Sequence, residues 1–88
     1  MMALVHLRMV INDANESGYI INTKNIESVV KMNNVIYQKF RVYLINGENY
    51  DFNQLYYEGN FIYVHNMKQL YSLLTKLDNR EIKNEGET

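Results

Sequence analysis

Eighty-eight residues with a formal net charge of -1 and 47% apolar side chains make one domain with a small core. There is no cysteine, which excludes a disulfide framework, a thiolate zinc site and a cysteine nucleophile. The near-neutral charge excludes a polycation that would coat nucleic acid, and even residues 1–80, with eight basic and seven acidic side chains, reach only +1.

The chain opens Met-Met-Ala-Leu-Val-His-Leu-Arg, charged by position 8 and without a long apolar run. We therefore expect no signal peptide, no membrane span and a cytoplasmic location. Val5, Leu7, Met9 and Ile11 alternate with His6 and Arg8, the pattern of a half-buried strand over residues 3–11. Asn12 to Gly18 is a polar turn cluster, and Tyr19 to Asn22 a short second strand. Asn22-Thr23-Lys24-Asn25 makes a further turn, because Asn side chains bond nearby backbone. A third strand covers Ile26 to Met32, and Asn33-Asn34 ends it.

The fourth strand is expected from about Ile36 to Leu44, followed by the hairpin signal Asn46-Gly47. A two-residue loop there would set Val42 opposite Asp51 and mix core with solvent faces. A three-residue loop, Ile45-Asn46-Gly47 with a left-handed glycine, pairs Val42 with Tyr50 and Phe40 with Phe52 and keeps the apolar pattern on one face. A weaker hairpin is read in Gln54–Tyr57 and Phe61–Val64 around Glu58-Gly59-Asn60. Asn66 can cap a helix beginning at Met67, with Met67, Leu70, Leu74 and Leu77 in register, Leu73 beside them, and an end near Asp78-Asn79. That stripe suits either covering the sheet or a dimer seam, and covering is preferred because a lone sheet needs a second layer. Residues 81–88 carry one lysine against three glutamates and are read as a disordered acidic tail after a single domain spanning 1–80. The fold class is α+β: a bent, mostly antiparallel sheet of five or six strands with one C-terminal helix.

The order of elements resembles the FlbD family of small proteins associated with flagellar and swarming motility. The residues that carry this are Leu4–Ile11, Tyr19-Ile20-Ile21-Asn22, Ile26-Glu27-Ser28-Val29-Val30, Phe40–Leu44 with Asn46-Gly47, Asn49–Phe52 and Val64–Leu77. The resemblance implies a fold and no active-site residue. The chain departs from the pattern by the hairpin-like insertion at 53–62 and by its eight tyrosines.

Two surfaces are candidates for function. Tyr56, Tyr57 and Tyr63 offer large contact area with a polar tip and are read as a protein-binding segment, with one of Tyr56 and Tyr57 facing outward. Tyr37, Lys39, Arg41 and Tyr43 interleave aromatic and basic groups on the fourth strand, the arrangement that stacks bases and holds phosphates. The competing readings are core completion by the tyrosines and an ordinary solvated strand face. Two histidines, His6 and His65, on different strands make no metal set, and four isolated glycines make no phosphate cradle.

No catalytic residue, metal or cofactor is assigned. The expected function is a non-enzymatic protein-binding module, an accessory, regulator or inhibitor. The abundance of Asn, Ile, Lys and Tyr points to an AT-rich source, a low-GC bacterium or its phage or mobile element. Open sheet edges point to a homodimer as one partner choice. The alternative function is nucleic-acid binding through the basic-aromatic strand.

Overall fold

A one-residue corner at Asn53 organises the chain. The computed structural model describes the backbone of residues 3–12, 14–32 and 38–86, and the side chains among them other than those of 14–17 and 78–86. Among the described residues seven strands are formed, against the five or six expected: β1 (Leu4–Ile11), β2 (Ala14–Asn22), β3 (Ile26–Met32), β4 (Lys39–Leu44), β5 (Asn49–Phe52), β6 (Gln54–Tyr57) and β7 (Asn60–Tyr63). A 3-10 turn over Thr23–Asn25 joins β2 to β3, and the helix α1 (Met67–Gly86) closes the chain. All pairings are antiparallel, in a four-stranded sheet of order β2-β1-β6-β7 and a three-stranded sheet of order β3-β4-β5. The α+β class stands. The single bent sheet is resolved into two sheets, and β5 and β6 act as one strand that changes sheet at Asn53.

Asn53 is buried, and its side chain behaves like a strand residue. Its Nδ2 donates to the Val10 carbonyl (2.8 Å), and its Oδ1 accepts from the Val10 N–H (3.0 Å). Its own N–H donates to the Arg8 carbonyl, and its carbonyl accepts from the Val64 N–H, both at 3.0 Å. Every polar group of this residue is thereby satisfied at the point where ladder pairing changes partners.

Inward side chains alternate along the strands as the period of two requires. Val5 and Leu7 on β1, Phe40 and Val42 on β4, Phe52 on β5 and Leu55 on β6 meet between the sheets. Phe40, Phe52 and Leu55 are fully buried, each contributing about 1.5–3 kcal/mol of transfer free energy. The register is the one that keeps apolar residues together: Val42 lies opposite Tyr50 and Phe40 opposite Phe52, whose rings stack at 5.7 Å. The loop is Ile45-Asn46-Gly47, with Gly47 at φ +94°, as the three-residue hairpin demands. Tyr50, expected inside, is half-buried on the core with its ring 4.2 Å from that of Tyr19.

Several expectations are corrected. The polar cluster 12–18 is mostly strand: β2 pairs with β1 from Ala14↔Ile11 to Asn22↔Leu4, with a bulge opposite Met9/Val10. Backbone pairing to β1 overrides the turn preference of these residues. The second hairpin turns on Glu58-Gly59 alone, both at positive φ (51° and 90°), so Asn60 pairs with Tyr57 and β7 starts one residue early. That two-residue turn matches the twist of its strands. The start of the fourth strand read at Ile36 and Tyr37 lies outside the described residues.

Asn66 caps α1 as read, its Oδ1 accepting from the Gln69 N–H at 2.7 Å. Gln69 Oε1 returns to accept from the His65 N–H at 2.7 Å, a variant of the capping box. Leu70 and Leu73 are buried and Leu74 and Leu77 pack on the core, so the stripe covers the sheets. Met67 is exposed and does not join it. The helical backbone continues past the expected end at Asp78-Asn79 to Gly86, because each further residue adds one bond to a helix already nucleated. Residues 81–86 of the expected tail are thus helical, while Glu87 and Thr88 lie outside the described residues. No helix among the described residues is long and apolar enough to cross a membrane.

The corner yields a prediction. Asn53→Asp removes the Nδ2 donor and sets a carboxylate against the Val10 carbonyl, at an expected cost of about 2–3 kcal/mol at neutral pH. Burial raises the folded pKa of such a carboxyl, so the penalty is full above that pKa, shrinks as pH falls through it, and is least below the unfolded value of about 4, where the group is protonated in both states and again carries a donor. Urea unfolding of Asn53→Asp against wild type across pH checks this, with Asn53→Leu as a pH-independent control.

Candidate functional site: the outer face of the four-stranded sheet

Cross-strand register lines up two rows on the outer face of the four-stranded sheet. Ile20, His6, Tyr56 and Phe61 form one row, and Gly18, Arg8, Gln54 and Tyr63 the next. Three rings interlock in the first row. Phe61 meets His6 edge-on at 4.9 Å and Tyr56 edge-on at 5.1 Å, while His6 and Tyr56 lie 6.2 Å apart. The Arg8 guanidinium sits 3.6 Å above the Phe61 ring centroid, and its Nε donates to the buried Gln54 Oε1 at 2.6 Å. Gly18 makes room for this arrangement, since a Cβ there would lie 2.9 Å from His6 Nε2.

The face is largely uncovered. Leu4 and Ile20 are 68% and 66% exposed, and Tyr56 and Tyr63 43% and 48%. A mainly apolar groove of about 460 Å³ is lined by Leu4, His6, Ile20, Tyr56, Tyr57, the Glu58-Gly59 turn and Leu77 of α1.

Of the tyrosines read as protein-binding, Tyr56 and Tyr63 are brought together on this face. Tyr57 faces the other way, half-buried against the core, because adjacent strand residues face opposite ways, and it reaches the site only as part of the groove lining. Leu4, His6, Arg8, Ile20 and Phe61 were missed as members. His6 and Arg8 carry the signal of an outward strand face. Ile20 lies in the run Tyr19-Ile20-Ile21, where only pairing with β1 decides which isoleucine is buried: Ile21 is, and Ile20 is not.

The basic-aromatic strand is differently arranged. Tyr37 lies outside the described residues. Lys39, Arg41 and Tyr43 share the outward face of β4, with Asp51 of β5 directly opposite Arg41. Asp51 accepts from Arg41 Nε at 2.6 Å and from Lys39 Nζ at 2.9 Å. The Arg41 bond, with help from Lys39, holds the Asp51 carboxyl below its ordinary range, and the same bond, with Tyr43, pushes the Arg41 guanidinium up. One carboxylate between two cations leaves this cluster at +1, and a phosphate would have to compete with Asp51.

A second hollow of about 350 Å³ lies by Val10, Gln38, Asn53 and His65. Its polar groups engage one another: the Gln38 amide donates to the His65 carbonyl and Asn53 binds Val10. Among the described residues, no three His, Cys, Asp or Glu side chains group to hold a metal ion. No family model, curated protein or solved structure matches this chain.

Two outcomes are expected. Because the Asp51 pKa is depressed by folding, its stabilisation is present above its unfolded pKa near 4 and is lost as pH falls through the lower folded value. Acid unfolding of wild type should therefore be steeper below pH ~4 than that of Asp51→Asn, followed by circular dichroism. Gly18→Ala should displace the His6 ring, read as shifted Phe61 and Tyr56 ring resonances. The net stability change should stay within about 1 kcal/mol, since reduced unfolded-state freedom offsets the crowding.

Proposed function

We propose that this protein is a non-enzymatic protein-binding module that uses the outer face of its four-stranded sheet. The role is that of an accessory, regulatory or inhibitory partner, acting by covering or bridging a surface of a larger assembly. One observation carries the reading: Leu4, Ile20, Tyr56 and Tyr63 are all exposed on one face of the sheet, and the first three line a groove. Such patches mark interaction surfaces, and tyrosines in them anchor contacts with little loss of side-chain freedom. Rings already fixed by Phe61 and His6 lower the ordering cost of binding. The Lys39/Arg41/Tyr43 strand serves here as a charged flank that is largely self-neutralised by Asp51.

The test is capture of partners by tagged full-length protein after nuclease treatment, comparing wild type with Ile20→Lys, Tyr56→Ala and Lys39→Gln. A stoichiometric protein should be captured, weakened tenfold or more by either patch substitution, equivalent to about 1.4 kcal/mol, and unaffected by Lys39→Gln. A partner held equally well by Ile20→Lys and Tyr56→Ala would count against the proposal.

A further inference from the structure

The face just described carries a charge that its apolar neighbours do not explain. Arg8 stands in the middle of it, and among the described side chains no carboxylate lies within ion-pair distance; the ion pairs found are those of Asp51 on the other sheet. Arg8 is nevertheless held in place. Phe61 supports its guanidinium from below, and Nε is bound to Gln54. The terminal nitrogens remain as a fork suited to a carboxylate, with little ordering left to lose. The groove bounded by Leu4, Ile20 and Tyr56 lies over His6, two residues away along β1 and hence about 7 Å from Arg8. An extended peptide repeats same-side residues at that same interval.

Resting on the binding-module reading, we propose that the occupant of this face is a short, extended, acidic segment of a partner protein. An aliphatic or aromatic side chain fills the groove, and an Asp or Glu two positions away pairs with Arg8.

Charge and symmetry favour this occupant over a second copy of the chain. A two-fold dimer through the same face would crowd Arg8 and its copy into one desolvated interface with no described acid between them. An acidic peptide brings the opposite charge.

The experiment selects a phage-displayed library of random eight-residue peptides against the full-length protein, then measures the enriched peptides by fluorescence polarisation. Enrichment of an Asp or Glu two residues from an aliphatic or aromatic residue is expected. Arg8→Gln, which keeps a stem over Phe61 and a fold verified by thermal melting, should weaken these peptides tenfold or more. Arg8→Glu should bind the Glu→Lys version of a selected peptide better than the parent. Basic or uncharged consensus sequences, no enrichment, or affinity indifferent to Arg8→Gln would overturn the proposal. So would binding of phosphatidylglycerol vesicles or single-stranded DNA that displaces the peptides, or a dimer in sedimentation that Ile20→Lys dissolves. Peptides that depend on Ile20 but not on Arg8 would remove the acidic partner and leave the binding module standing. Peptides that depend on neither would remove both.

Discussion

The side-chain amide of Asn53 is the constraint on which the two-sheet arrangement depends. A strand that leaves one sheet for another must break its ladder, and the broken ladder leaves buried backbone groups to satisfy. Here a side chain with one donor and one acceptor takes up both groups of Val10, while the Asn53 backbone ties β1 to the start of the helical region through Arg8 and Val64. Few side chains can do this. Aspartate lacks the donor, leucine lacks both groups, and glutamine would reach one methylene too far. The bend lets β5 and β6 belong to different sheets with a single residue between them, and the core fills the angle they make.

That bend also determines which side chains look outward. Past Asn53 the alternation along the chain is counted against β1 instead of β4. Tyr56 comes to lie beside His6 and across from Phe61, and Leu55 falls into the core opposite Leu7. The two outward faces then handle charge in different ways. On the three-stranded sheet, cations and carboxylate sit across a strand pair and satisfy one another. On the four-stranded sheet, the cation rests on an aromatic face and a neutral amide, which position it without neutralising it. Among the described side chains, the first arrangement pairs its cations with a carboxylate and the second does not.

Much of the fold was legible in local pattern. Alternation located β1 and β4, the turn residues on either side located β3, the Asn46-Gly47 signal located the first tight hairpin and its register, and Asn66 located the helix start. Each of these rests on interactions within a few residues or on a strongly one-sided apolar face. The errors have a common cause. The polar stretch before Gly18 carries turn chemistry, yet its backbone had a partner strand waiting. The exposed Met67 sits in helical register with the leucines, but lies at the first turn where the helix is only arriving at the core.

The sequence by itself determined the α+β class, the hairpin register that stacks Phe40 on Phe52, the helix cap and the helix face that covers the sheets, because periodicity and short-range hydrogen bonding are written in neighbouring residues. Only the tertiary structure decided that the sheet divides in two, that Ile20 and not Ile21 is exposed, that Tyr57 turns inward, that Asp51 neutralises Lys39 and Arg41, and that Arg8 lies over Phe61. Those facts depend on which strands pair and how: the Ile20 and Asp51 outcomes on hairpin partners 10 to 14 positions apart, the division of the sheet and the placing of Arg8 on partners more than 40 positions apart, which no local pattern encodes.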